Sequence, residues 1–156
     1  MREIAISFNK DSIVKLFRSK AFKVAEAYAN DENFKAVYNM KHGGAEDIVD
    51  TRISDSLYTT AVGMCRAILA EYTTRTYEVG TDNVDNPAGV ILNVPQTSTA
   101  TQAVLTPAVN EYVTENMLAG WICDVAPKLA DDFGKKVNAA EDNIKRIIYT
   151  KKAPTP

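Results

Sequence analysis

The pattern of apolar positions is strongest between residues 106 and 149, where it predicts two successive helices. In the first helix the apolar residues recur every three or four positions and therefore share one face; they are Val109, Tyr112, Val113, Leu118, Trp121, Ile122 and Val125. Thr106-Pro107 predicts its start, because a threonine hydroxyl caps free N–H groups and proline suits the first helical position. Pro127 ends or kinks this helix. The second apolar stripe comprises Leu129, Phe133, Val137, Ala140, Ile144, Ile147 and Ile148.

Helical spacing also predicts three helices earlier in the chain. The first spans about residues 12 to 29 behind a cap at Asn9 or Asp11, and a shorter one spans 32 to 40. The longest is predicted from about residue 45 to 76. Its apolar side consists of Ile48, Ile53, Leu57, Ala61, Met64, Cys65, Ile68, Leu69 and Tyr72. The apolar side of the first consists of Ile13, Leu16, Phe17, Val24 and Tyr28.

Two stretches have the alternation of β-strands instead. At the amino terminus Ile4, Ile6 and Phe8 share one face of a short strand. Between residues 77 and 105 the helical period disappears, and a turn-rich segment separates two apolar runs that can pair as a hairpin. These runs are Tyr77 and Val79 on one side and Val90, Leu92 and Val94 on the other.

The elements together predict one mainly α-helical domain over residues 1 to 156. We expect a helical bundle with a short N-terminal strand and a β-hairpin or loop insertion, at residues 77–105, between the long central helix and the C-terminal helices. An extended tail is expected over 150–156, since its prolines cannot continue a helix. At 156 residues the chain is large enough for one such core.

Membrane insertion, secretion through a signal peptide and disulfide bonding are not expected. No apolar run approaches the roughly 18 residues of a membrane span, and no apolar signal region follows Met1. Both cysteines, Cys65 and Cys123, lie among apolar neighbours in predicted helices, and we expect them to be small buried side chains in a reducing compartment.

Charge is unevenly distributed along the chain although the net charge is only −2. Residues 1 to 42 have a net charge of +3, residues 43 to 126 of −8, and residues 127 to 156 of +3. This layout has two interpretations, between which the sequence does not decide. Either each solvated face has its own mixture of charges, or opposite patches on neighbouring copies of the chain favour one docking register.

The residues that most often carry catalysis or bind metal occur here without partners. His42, the only histidine, lies in a glycine turn without a neighbouring carboxylate or thiol, and base catalysis needs a positioned partner. A calcium loop would need a polar residue where Val84 stands between Asp82 and Asp85. No glycine is followed by the Lys-Ser/Thr of a phosphate loop. The sequence therefore predicts no catalytic residue, cofactor or metal ion, and no enzymatic activity.

The order of these parts resembles small head-tail connector proteins of tailed bacteriophages, the neck adaptors that join the portal to the tail. In that group a long helix ending in a tyrosine-bearing turn precedes a β-rich or loop insertion, and helices close the chain. Here the three parts are residues 45–72, 77–105 and 106–149. The closing run, with Glu115-Asn116-Met117-Leu118-Ala119-Gly120-Trp121 and Ile144-Lys145-Arg146-Ile147-Ile148-Tyr149, is similar to phage and prophage proteins of Bacteroidetes.

This resemblance implies a virion structural protein of the neck, synthesised in the bacterial cytoplasm. It implies a ring of identical copies, commonly twelve, that binds portal and tail proteins while double-stranded DNA passes without sequence recognition. Adaptor, stopper, ring and tail-completion positions remain open. The predicted interaction residues are Ile4, Ile6, Phe8, Asp82, Asp85, Val90, Leu92, Lys151 and Lys152. The alternative is a cytoplasmic helical-bundle protein with a regulatory or binding role and no catalytic activity.

Overall fold

The structure, a computed structural model, describes residues 1–28, 51–77 and 89–151. Within these ranges a three-stranded sheet packs with four α-helices, which confirms the predicted mainly helical class with an N-terminal strand and a hairpin. The strands are β1 (Arg2–Ser7), β2 (Thr73–Tyr77) and β3 (Gly89–Val94). The helices are α1 (Lys10–Ala27), α2 (Thr51–Leu69), α3 (Gln102–Val125) and α4 (Ala130–Tyr149), with a 3-10 turn at Pro127–Leu129.

The sheet is antiparallel and has the order β1-β3-β2. The pairing of β2 with β3, in which Tyr77 lies opposite Gly89, confirms the predicted hairpin. The β2–β3 ladder is irregular between Thr73 and Arg75. The connection between the strands, with Val79, Asp82 and Asp85, lies outside the described residues.

Strand β1 pairs within its own chain, whereas its residues Ile4, Ile6 and Phe8 were predicted to contact partners. Ile4 lies opposite Leu92 and Ile6 opposite Val90. All four side chains, together with Phe8, are buried in the core. The physical reason is the alternation itself, because it gives β1 and β3 matched apolar faces that are buried together, and β1 packs against α3. These five residues are therefore core residues of this chain.

Helix α3 lies at the centre of the molecule and contacts α1, α2, α4 and β1. The apolar stripe predicted for this helix faces the core. Val125 is half-buried, and the other members are buried: Val109, Tyr112, Val113, Leu118, Trp121 and Ile122. The stripe of α4 behaves likewise, with Phe133, Ala140, Ile144 and Ile148 buried. The two strongest apolar patterns of the sequence thus form the central helix–helix contact.

The start of α3 differs from the prediction. Thr101 is the N-cap, and its hydroxyl accepts a 3.3 Å hydrogen bond from the Val104 backbone N–H. Pro107 consequently lies inside the helix, where it removes one backbone hydrogen bond. The exposure of Ala103 and Pro107 lets water solvate the carbonyl group left free. The other end is as predicted, since α3 ends at Val125 and Pro127 begins the 3-10 turn.

The two earlier helices also have corrected boundaries. Helix α1 begins at Lys10 behind Asn9, whose Oδ1 accepts a 3.1 Å hydrogen bond from the Ser12 backbone N–H. Helix α2 ends at Leu69, and residues 73–77 form a strand although a helix was predicted through residue 76. The threonines of this stretch are β-branched and favour strands. The helix predicted at 32–40, the first residues of the predicted 45–76 helix and His42 lie outside the described residues.

Candidate functional site

A cleft between α1 and α3 combines an apolar floor with polar side chains. It has a volume of about 420 Å³ and is lined in part by Ile13, Leu16, Lys20, Pro107, Asn110 and Thr114. Leu16 belongs to the apolar stripe predicted for α1, yet it is 47% exposed. An accessible leucine beside a lysine and an asparagine can contact both apolar and polar groups of a bound molecule.

A second cleft, between α3 and α4, is more polar. It has a volume of about 350 Å³ and is lined by Glu111, Glu115, Lys136, Ala139, Ala140 and Asn143. The two alanines have short side chains, which leaves space between the helices at this level. Glu111 lines both clefts, so that α3 separates them.

An ion pair connects the two clefts. The Lys20 Nζ lies 2.6 Å from Glu115 Oε1, and the two side chains are 34% and 11% exposed. Lys20 belongs to the α1–α3 cleft and Glu115 to the α3–α4 cleft. Removal of either partner would leave the other charge without compensation in a partly buried position, which is costly.

Glu115 has a second carboxylate oxygen without a partner. Its Oε2 is buried and accepts no hydrogen bond from any described residue. The Thr106 hydroxyl oxygen and Asn110 Oδ1, on the same helix, are also buried without a partner in the described parts of the chain. Buried polar atoms are normally satisfied, so each of these three atoms carries a desolvation cost in the described structure.

The Lys20–Glu115 pair is not among the interactions predicted from the sequence. Its members are separated by 95 residues, and only the packing of α1 on α3 brings them together. One signal was available, because Glu115 interrupts the apolar stripes of a helix that is buried on more than one side. A carboxylate in such a helix has to be paired.

Nine residues were predicted to contact partners, and the six of them that the structure describes do not form one surface. Five of them, Ile4, Ile6, Phe8, Val90 and Leu92, are buried in the core. Asp82, Asp85 and Lys152 lie outside the described residues. Lys151 is exposed and forms an isolated antiparallel bridge with Ser98. Of this set, Lys151 alone is both described and accessible.

The candidate chemistry of the remaining side chains is limited. Asp131, Asp132 and Asp142 are exposed, and the carboxylate of Glu141 lies 3.2 Å from Lys145 Nζ. No cluster of three or more histidine, cysteine or acidic residues suited to a metal ion is found among residues 1–28, 51–77 and 89–151. Among the described residues, neither the α1–α3 cleft nor the α3–α4 cleft is lined by a histidine or a cysteine.

The two cysteines have different environments. Cys65 is buried, as predicted, and desolvation raises the pKa of its thiol from the ordinary value of 9.0 to about 12. Cys123 is exposed near the end of α3, which corrects the expectation that both thiols are buried. Thiolates are the reactive form of cysteine, so Cys65 is inert and Cys123 is the accessible thiol of the described chain.

None of the four described helices is both long and apolar enough to cross a lipid bilayer.

Similarity to known proteins does not assign the chain to a family. No protein-family model, curated protein or solved structure matches this chain.

Proposed function

We propose that this protein is a structural subunit of a bacteriophage neck, where a ring of identical copies joins the portal to the tail and lets DNA pass. The observation that carries the proposal is the order of elements. A helix (α2) is followed by a hairpin that begins beside Tyr72, and two packed helices (α3 and α4) close the described chain. The resemblance to neck adaptors rests on this same order.

The charge distribution supports a path for DNA. Residues 43 to 126 carry a net charge of −8, and acidic side chains from this range, such as Glu71, Glu111 and Asp124, are exposed in the structure. A negative lumen repels phosphate, so the duplex slides instead of binding. Basic residues flank this range on both sides in the sequence, which suits contacts between oppositely charged surfaces of neighbouring subunits.

The α1–α3 cleft supports a surface for another protein. Leu16 is accessible there, and Ile53, Met64 and Val104 are also about half exposed elsewhere on the described surface. Interfaces between proteins have apolar centres with polar rims. A side chain of a neighbouring subunit, of the portal or of a tail protein has the size that this cleft accommodates.

Assembly is the direct test of the proposal. Purified protein, alone and mixed with a phage portal assembly, would be measured by mass photometry and imaged by electron microscopy. We expect rings with a central opening, or a layer of added density on the portal. A protein that stays monomeric at high concentration and leaves the portal unchanged would contradict the proposal.

The acidic path has its own test. In the assembled ring, Asp82→Lys together with Asp85→Lys should strengthen binding to duplex DNA, and the salt dependence should become steeper because more counterions are released. Folding should change little, since the sequence predicts both aspartates in a turn-rich segment, and solvated charges contribute under about 1 kcal/mol. Tight binding of duplex by the unmodified ring at physiological salt would argue against a repulsive lumen.

A second candidate is a helical-bundle protein with a regulatory or binding role and no catalytic activity. The α1–α3 cleft favours it, because a volume of about 420 Å³ lies in the range of roughly 300–1,000 Å³ typical of ligand pockets. This candidate predicts a monomer or dimer without affinity for a portal. The same mass measurement separates the two functions.

A further inference from the structure

The outer side of helix α2 is exposed along its whole length. The helix packs on α1 and α3 with its inner side, where Tyr58, Val62 and Leu69 are buried. On the opposite side the exposed residues recur every three or four positions, so they lie on one face of the helix. This outer stripe of α2 consists of Ile53, Ser56, Thr60, Gly63, Met64 and Ala67.

The outer stripe of α2 contains no charged residue. Between residues 53 and 70 the charged side chains are Asp55 and Arg66, and neither belongs to the stripe. Ile53 and Met64, in contrast, are each 49% exposed. The side of a helix that faces solvent normally carries charged and polar residues, whereas the centres of protein interfaces are depleted of charge and enriched in methionine. The stripe therefore has the composition of a contact surface.

The large and small members of the stripe are arranged symmetrically about Thr60. Ile53 and Ala67 are each seven residues from Thr60, and Met64 and Ser56 are each four residues from it. A shallow groove of about 400 Å³ adjoins the small residues, and Ala67 lines it. A second α2 that runs in the opposite direction would therefore place each large side chain over a small one, which allows close packing of the two helices.

We propose that the outer stripe of α2 binds the same stripe of a second copy of this chain. The two helices run antiparallel about a two-fold axis that passes at Thr60. Ile53 of each copy packs on Ala67 of the other, and Met64 packs on Ser56. The contact is isologous, because both copies use the same surface.

The charges beside the stripe favour this antiparallel pair. Arg52 and Asp55 lie near the start of α2, and Arg66 and Glu71 lie near its end. Antiparallel pairing brings Arg52 towards Glu71 of the second copy and Asp55 towards Arg66, whereas parallel pairing would bring like charges together. Arg52 has an interaction within its own chain, and Glu71 Oε1 accepts a 3.2 Å hydrogen bond from the Tyr149 hydroxyl. A guanidinium group and a carboxylate each have further bonding sites, so these contacts can persist in the pair.

The proposed pair is a state of the free protein. A single helix–helix contact is smaller than the roughly 800 Å² per partner of a standard interface, so we expect a dissociation constant on the order of 10–100 µM. A two-fold contact closes at two copies and does not extend into a ring. The inference therefore goes beyond the neck function and does not depend on it.

Sedimentation equilibrium of the full chain tests the pair. Between about 1 µM and about 1 mM, a range that includes the expected dissociation constant, the wild type should change from monomer to dimer. Thr60→Glu places two carboxylates next to each other at the axis and should raise the dissociation constant at least about tenfold. Thr60 is exposed, so the circular dichroism spectrum of the monomer should not change.

A mixture of two variants tests the position of the axis. Thr60→Lys alone should also associate at least about tenfold more weakly than the wild type, because two ammonium groups repel each other. An equal mixture of Thr60→Lys and Thr60→Glu should form a heterodimer at least about tenfold more tightly than either variant pairs with itself. Asn138→Glu, at an exposed position of α4, is the matched control for the added charge and should associate like the wild type.

Four results would overturn the proposal. A wild type that stays monomeric up to about 1 mM would show that the stripe does not bind a second copy. If Thr60→Glu associated like the wild type, the copies would meet through another surface. A mixture without a tighter heterodimer would place Thr60 away from the axis. If Thr60→Glu instead lowered the melting temperature of a monomeric protein, the stripe would be covered by another part of its own chain.

Discussion

The guanidinium group of Arg2 donates a 2.7 Å hydrogen bond through Nη2 to the carbonyl oxygen of Ser98, 96 residues further along the chain. Ser98 is itself buried, and its hydroxyl donates a 2.6 Å hydrogen bond to the carbonyl oxygen of Ile148 near the end of α4. One serine thus connects the first strand to the last helix. The loop between β3 and α3 is the part of the fold that holds both ends.

We expect Ser98→Ala to lower the free energy of unfolding by about 1–2 kcal/mol, because it removes the hydrogen bonds to Ile148 and from the Ala100 N–H. Urea denaturation followed by circular dichroism measures the change. Ser7→Ala is the matched control. Ser7 is exposed on β1, so this substitution should lower the free energy of unfolding by under about 0.5 kcal/mol. Equal effects of the two substitutions would mean that the Ser98 connection contributes nothing measurable.

Ile6→Ala should lower the free energy of unfolding by roughly 2–5 kcal/mol, because Ile6 is fully buried where β1 packs in the core. The measurement is again a denaturant titration, now at several protein concentrations. If the β1 side chains served contacts with other copies instead, the cost would depend on protein concentration. Met1→Ala, at a residue that is 74% exposed, should be close to neutral.

The three glycines in the described helices should respond differently to replacement by alanine. A Cβ at Gly63 or Gly134 would have no atom within 4 Å, whereas at Gly120 it would lie 3.0 Å from Leu57 Cδ2. Gly63→Ala and Gly134→Ala should therefore raise the free energy of unfolding by roughly 0.5–1 kcal/mol each, through helix propensity. Gly120→Ala should raise the free energy of unfolding by at least about 0.5 kcal/mol less than either of these substitutions, since Leu57 must move. If thermal unfolding showed the same gain in the free energy of unfolding for all three substitutions, α2 and α3 would not be closely packed at Gly120.

The two thiols should react at different stages of unfolding. At pH 8 a thiol reagent should modify one cysteine per native chain, Cys123, and both cysteines in urea. Modification of Cys65 in the native protein would contradict its burial.

Cys65 also predicts a loss of stability at alkaline pH. Below pH 9 the thiol is protonated in both the folded and the unfolded chain. Its contribution to the free energy of unfolding is therefore fully present there. Between pH 9 and about 12 it ionises only in the unfolded chain, so the free energy of unfolding falls by up to about 1.4 kcal/mol per pH unit from this group. Denaturation of wild type and Cys65→Ala across this range measures the effect, and the variant should have the shallower pH dependence.

The sequence predicts which faces of the helices are buried better than it predicts where the helices begin and end. The stripes of α3 and α4 were correct because apolar spacing reports directly on which side is buried. The start of α3 was wrong because Thr101 and Thr106 are equally suitable caps, and Pro107 favoured the second. Helix α2 was predicted too long because Tyr72 continues its apolar stripe, while the following threonines favour a strand.

The clefts could not be predicted from local pattern. Lys20 and Glu115 are brought together by the packing of α1 on α3, and a one-dimensional period contains no information about that contact. Leu16 has the spacing of a core residue and is nevertheless 47% exposed, because the cleft at this position leaves its side chain uncovered. Helical spacing identifies the apolar face of a helix. It does not show whether another element of the fold covers the whole of that face.

The connection through Ser98 also brings Met1 close to Lys151. Gln96 Nε2 donates to the carbonyl oxygen of Met1 at 3.1 Å, and Lys151 bridges to Ser98 two residues away from Gln96. A short peptide linker that replaces residues 152–156 and joins Lys151 to Met1 would therefore close the chain into a circle without crossing the molecule. New ends could then be opened in the stretch between β2 and β3, which would give a circularly permuted protein with the same core and with fusion partners displayed beside the hairpin.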